Sequence, residues 1–110
     1  MSTIFNREVQ SLLADVTATG AGAAFEVPFG RRSFQLIGST TAGAGTAVVK
    51  VEASNDGNNW FTIGTISLGS LAVGVTTDGF ASDAPWKNIR GNVTTLTGTG
   101  AKVSLFMGVA

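Results

Sequence analysis

Seven acidic and seven basic side chains supply all the charge in this 110-residue chain, which has no histidine, cysteine or tyrosine. Triads and dyads built on His or Cys are therefore excluded, as are thiolate chemistry and disulfides. What remains for general acid–base work is a carboxylate pair drawn from Asp56, Asp78 and Asp83. Each stands in a turn context, as Asp56-Gly57, Asp78-Gly79 and Asp83-Ala84-Pro85. In such places Asp is common because its carboxylate bonds its own backbone. The same residues fail as a calcium loop: Gly57 directly follows Asp56, and no glutamate stands at the required distance. We expect no catalytic residues, no metal site and no cofactor.

Glycine pairs recur at Gly20-Ala21-Gly22, Gly43-Ala44-Gly45 and Gly98-Thr99-Gly100. A phosphate cradle of the Walker type needs Gly-Lys followed by Ser or Thr, but here Lys102 follows Ala101 and precedes Val103. A dinucleotide fingerprint needs a helix after the glycines, and none is expected. Asn92-Val93-Thr94 matches a glycosylation acceptor, but we expect no secretory signal and hence no glycan there. Trp60 and Trp86 suit two roles, as a platform on which a sugar stacks or as large rings capping the end of a core.

The elements that must hold these residues are strands. Ala47, Val49, Val51 and Ala53 alternate with Lys50, Glu52 and Ser54; Ile89, Gly91 and Val93 alternate with Asn88, Arg90 and Asn92. Phe34 and Leu36 share one face with Ile37 on the other, and Val103, Leu105, Met107 and Val109 form a last inward set. Period two of this kind marks strands with one buried side. The run Ser54-Asn55-Asp56-Gly57 tolerates positive φ and reads as a hairpin turn. Each Gly-x-Gly reads as a turn before a new strand. The expected fold is all-β: a single antiparallel β-sandwich, jelly-roll or immunoglobulin-like, of about seven or eight short strands. We expect an N-terminal arm over residues 1–10 and the sandwich over residues 11–110. The arm carries Ile4, Phe5 and Val9, which must fold back or grip a neighbour to be buried. Phe61 and Phe106 fall opposite the main inward sets of their strands, which suggests that an outer face is covered as well.

Composition narrows the partners. Net charge is zero, charged residues are 13% of the chain, and no run of one sign exceeds Arg31-Arg32. Neither nucleic acid nor an anionic membrane surface finds the clustered positive charge it needs. No stretch approaches the length of apolar residues that spans a bilayer, and no small-molecule substrate is expected.

Two segments together, Ser54-Asn55-Asp56-Gly57-Asn58-Asn59-Trp60 and Pro85-Trp86-Lys87-Asn88-Ile89-Arg90, followed by Thr97-Gly98-Thr99-Gly100-Ala101, carry a resemblance. From about residue 47 onward the chain resembles small β-sandwich virion structural proteins of tailed bacteriophages, of the capsid decoration or cement type. The resemblance implies a non-enzymatic protein on the capsid surface, made in the host bacterial cytoplasm. Such a protein stabilises the head by bridging major capsid protein subunits, and its implied partners are that protein and itself, as a homotrimer. Ile4, Phe5, Val9, Phe61 and Phe106 are the expected contact residues. The alternative is a carbohydrate-binding or tail- and baseplate-associated module that recognises host glycan through Trp60 and Trp86, which would require both indoles on one exposed surface.

Overall fold

Alternation is most sustained in the strand Ala42–Ser54, where Ala47, Val49, Val51 and Ala53 are fully buried while Val48, Lys50 and Glu52 on the other side are half-exposed. Only an extended chain with one wetted side places these residues so. The computed structural model describes residues 8–27 and 30–110; Ile4 and Phe5 lie outside the described residues. In chain order the strands are β1 (Glu8–Val16), β2 (Gly20–Ala21), β3 (Phe25–Glu26), β4 (Arg32–Ser39), β5 (Ala42–Ser54), β6 (Phe61–Leu71), β7 (Thr76–Ser82), β8 (Asn88–Thr99) and β9 (Lys102–Val109). β1 already includes Glu8, Val9 and Gln10, so these residues join the sheet rather than precede it.

The strands form two antiparallel sheets. The first has the order β1-β9-β4-β7; the second has β2-β8-β5-β6, with β3 also pairing β8. Gly20 and Ala21 lie opposite Val93 and Asn92, and Phe25 and Glu26 lie opposite Ile89 and Asn88. β2 and β3 are thus one interrupted strand on a single edge, which makes eight strands among the described residues. Of these the first pairs with the eighth, the second with the seventh, the third with the sixth and the fourth with the fifth. That nesting is a jelly roll, and it decides against the immunoglobulin-like order.

The core lies between the sheets. Phe34, Leu36, Val103, Leu105 and Met107 come from the first sheet; Val49, Val51, Ile66, Leu68, Ile89 and Val93 come from the second. Burying a Val, Leu or Ile side chain contributes about 1.5–3 kcal/mol, so these inward rows are the main source of stability. Phe34 and Phe80 stack with ring centroids 5.0 Å apart. Phe80 reaches across from β7 to Gly64 of β6, where any Cβ would collide with its ring. Arg32 is an exception to the apolar core: it is 2% exposed, and its Nη1 donates to the Ala84 carbonyl at 3.0 Å. Burial pushes its guanidinium pKa down.

Five expectations need correction. Gly20-Ala21-Gly22 is no turn, because Gly20 and Ala21 form β2 opposite Val93 and Asn92, and Asp78 lies within the strand β7 rather than in a turn. The Gly43-Ala44-Gly45 run is no turn: it lies inside β5, where the register slips between Ala42 and Thr46 opposite Thr99 and Thr97. The chain turns just before it, at Thr40 and Thr41, whose amides donate to Ala72 and Thr99. Ser54 does not face solvent but is 1% exposed, because its hydroxyl is consumed by the turn that follows. Phe61 is not on the outer face. A bulge leaves Glu52 opposite Thr62 and Val51 opposite Gly64, so the skipped residue reverses the alternation and sets Phe61 beside inward Ala53.

Candidate functional site

The β5–β6 turn and the segment leading into β8 meet at one corner of the second sheet. Asp56 organises the turn: its Oδ1 accepts from the Asn58 and Asn59 amides and from the Ser54 hydroxyl, and its Oδ2 accepts from Asn59 Nδ2 at 2.7 Å. Gly57 follows with φ of 78°, a conformation that suits glycine. The amide and side chain of Asn59, then the Asn58 amide and Ser54, hold the Asp56 carboxyl far below the usual carboxylate range. With its oxygens committed in this way, Asp56 serves the turn. Asn55 Oδ1 then accepts from the Lys87 amide at 3.0 Å, and Asn88 Nδ2 donates to the Ser54 carbonyl at 3.2 Å. The two segments that carried the resemblance are therefore bonded to each other.

This corner has an outer and an inner side. Outside, Arg90 Nε donates to Glu52 Oε1 at 2.8 Å, and the guanidinium lies 4.3 Å from the centre of the Trp60 ring. Asn92 Nδ2 donates to the other oxygen of Glu52 at 3.4 Å. Inside, Phe61 and Trp86 meet edge to face with centroids 4.7 Å apart, and Trp86 packs against the core. Trp60 and Trp86 thus lie on opposite faces of the sheet, and one face of Trp60 is covered by Arg90. The shared indole surface that a sugar platform needs is not formed.

The outer face of the first sheet has a different character. Reading across paired positions, one row is Val9, Gly108, Ser33 and Ala81. The next is Ser11, Phe106, Gln35 and Gly79, and a third is Ser104, Ile37 and Thr77. None of these eleven positions carries a charge. Charges gather at the two ends of the face, as Arg31 with Asp83 and Lys102 with Asp15, each pair 4.0 Å apart. Phe106 is the one aromatic ring among these positions and lies in the middle row of the face, paired with Ser11 and Gln35. Val9 at its edge is 66% exposed. Gln35 Nε2 donates to Thr77 Oγ1, and Thr77 in turn to the Leu36 carbonyl, so the polar groups here are tied down as well.

The remaining candidates for chemistry are dispersed. Asp78 Oδ1 accepts from the Gly79 amide, and Asp83 faces Arg31 at the mouth of an open groove of about 540 Å³ bordered by Ser33, Ala81 and Ala110. Among the described residues no three acidic side chains cluster as metal ligands would. No family model, curated protein or solved structure matches the chain.

The uncharged face is written into the sequence only in pieces. Ser33, Gln35 and Ile37, then Thr77, Gly79 and Ala81, then Ser104, Phe106 and Gly108 are alternate positions of three separate strands. Their common lack of charge becomes a surface only once β9 is known to run between β1 and β4.

Proposed function

We propose that the chain is a non-enzymatic structural subunit of a tailed-bacteriophage particle, a decoration or cement protein that docks on the head and bridges major capsid protein subunits. The observation that carries this reading is the uncharged outer face of β1-β9-β4-β7 with Phe106 at its middle. Interface cores are depleted in charge and centred on a few aromatic anchors, because desolvating an unpaired charge costs more than the contact returns. A face of uncharged Ser, Gly, Ala, Thr, Gln, Val and Ile residues around one Phe can be dried at little cost, and the sheet beneath it holds it rigid. The opposite sheet, with Lys50, Glu52, Arg90 and Asn92 outward, is suited to remain in water. The jelly roll, a fold that capsid proteins share with lectins, fits the reading without deciding it. Many weak copies bound by symmetry would add their contacts across capsomer boundaries. On this reading Val9 and Phe106 touch the shell, whereas Phe61 belongs to the corner it shares with Trp86.

The test is saturable binding of the purified protein to expanded heads of the phage that encodes it, prepared without this protein. Binding that Phe106→Glu abolishes while the fold is retained supports the proposal. Absence of binding by the wild-type chain refutes it.

A further inference from the structure

The two sheets end in four edges, and three of them are blunted against pairing with another chain. β2 and β3 are two residues each. β1 carries Asp15 at φ 47° and two register slips. β7 is a short strand that carries Asp78. Short strands, charges and bulges are the usual means by which an edge avoids edge-to-edge association. The fourth edge, β6, is eleven residues long, Phe-Thr-Ile-Gly-Thr-Ile-Ser-Leu-Gly-Ser-Leu, with neither a charge nor a proline. Its pairing with β5 is regular from Gly64 to Leu68, and among the described residues no strand pairs its other side.

We infer that β6 is a self-association edge, and that its occupant is β6 of a second copy of this chain, paired antiparallel about a two-fold axis at Ser67. Three observations select a second copy. First, across a two-fold axis a strand meets its own charges, and like charges directly opposite are destabilising; β6 has none. Second, large exposed apolar residues stand at both ends of this strand: Phe61 at its start is 44% exposed, and Val73 and Val75 just beyond its end are 65% and 73% exposed. Antiparallel pairing brings the start of one copy beside the end of the other, so each Phe61 meets the other copy's Val73 region. Third, an axis at Ser67 sets Ile66 opposite Leu68 twice, keeps both on the core side, and places two small hydroxyls at the centre. The second sheet then runs unbroken from one copy into the next. Isologous pairing of this kind closes on itself and does not propagate into fibres.

The solution mass of the full-length protein at high micromolar concentration, by light scattering or sedimentation, tests this. The expected mass is twice the 11.2 kDa of the chain, falling to the monomer for Ser67→Glu, with Gln35→Glu on the first sheet as a control that stays dimeric. Circular dichroism confirms that both variants are folded. Because the chain has no cysteine, Ser67→Cys supplies an independent reading: its single thiol forms a cross-linked dimer on mild oxidation, since a Cα separation of about 4.4–6.8 Å suits both paired strands and a disulfide. A monomeric wild-type protein, a trimer that survives Ser67→Glu, or a Ser67→Cys variant that does not cross-link would overturn the inference.

Discussion

Arg90 holds two partners at once: its Nε donates to Glu52 at 2.8 Å while its guanidinium lies 4.3 Å from the centre of the Trp60 ring. Glu52 lies near the end of β5, Trp60 immediately precedes β6, and Arg90 comes from β8, so three segments are joined through one side chain. The side chains of the pair are only 25% and 13% exposed, so solvent screens them less than an open surface pair.

From this geometry, Arg90→Ala is expected to destabilise the fold by about 1–3 kcal/mol, since it removes the stacking and leaves Glu52 half-buried without its cation. Arg90→Lys should recover less than half of that loss, because an ammonium lacks the planar fork that stacks and pairs together. Urea denaturation measures both, and Trp60 emission should shift to longer wavelength in the alanine variant. Equal stability of all three proteins would contradict the role given to Arg90.

Gly64 and Phe80 make a second coupled pair. A methyl group at position 64 meets the Phe80 ring, so Gly64→Ala should cost about 1–3 kcal/mol through overpacking. Adding Phe80→Leu to Gly64→Ala should cost less than the two single changes sum to, as expected for residues in contact. Additive losses in this double-mutant cycle would show that the ring does not depend on the glycine.

The Asp56 turn predicts a pH dependence with a definite sign. Its carboxyl pKa in the folded chain is depressed from an ordinary value of 3.8, so the ionised form is the one the turn holds. The stabilisation is fully present above the ordinary value and is lost as pH falls through the lower folded value. The stability difference between wild type and Asp56→Ala should therefore be constant near neutrality, shrink below about pH 4 and vanish only in strong acid. Carbon-13 NMR of the Asp56 carboxyl provides the direct check. A titration coinciding with that of an unfolded peptide would rule the turn geometry out.

How much of this is legible in the chain depends on which contacts are local. The inward rows of β4, β5, β8 and β9 follow from strict alternation, and the Asn55-Asp56-Gly57 turn from its residue types, because each is decided within a few neighbours. Phe61 defeats the alternation rule because a bulge at residues 62–64 shifts the pattern by one, and Thr62 and Ile63 look like any other strand residues. The first two Gly-x-Gly runs mislead for a related reason: glycine permits a turn but equally permits a strand, here β2 at Gly20 and Ala21 and the irregular start of β5 opposite Thr97 and Thr99. Buried Arg32 has no signal beyond a basic dipeptide, since its partner Ala84 is 52 residues away. The separation of Trp60 and Trp86 onto opposite faces, and the uncharged face around Phe106, depend on strand order, which alternation does not encode.

The central claim is that this face docks on a phage head, and Phe106 tests it most directly. Phe106→Glu puts a charge at the middle of a surface that has none and leaves the inward set of β9 untouched. Titrated onto heads lacking the protein, the wild-type chain should bind to saturation while a folded Phe106→Glu variant binds at least about tenfold more weakly, the loss typical of an aromatic anchor. Equal binding by the two proteins, or none by the wild type, would contradict the account.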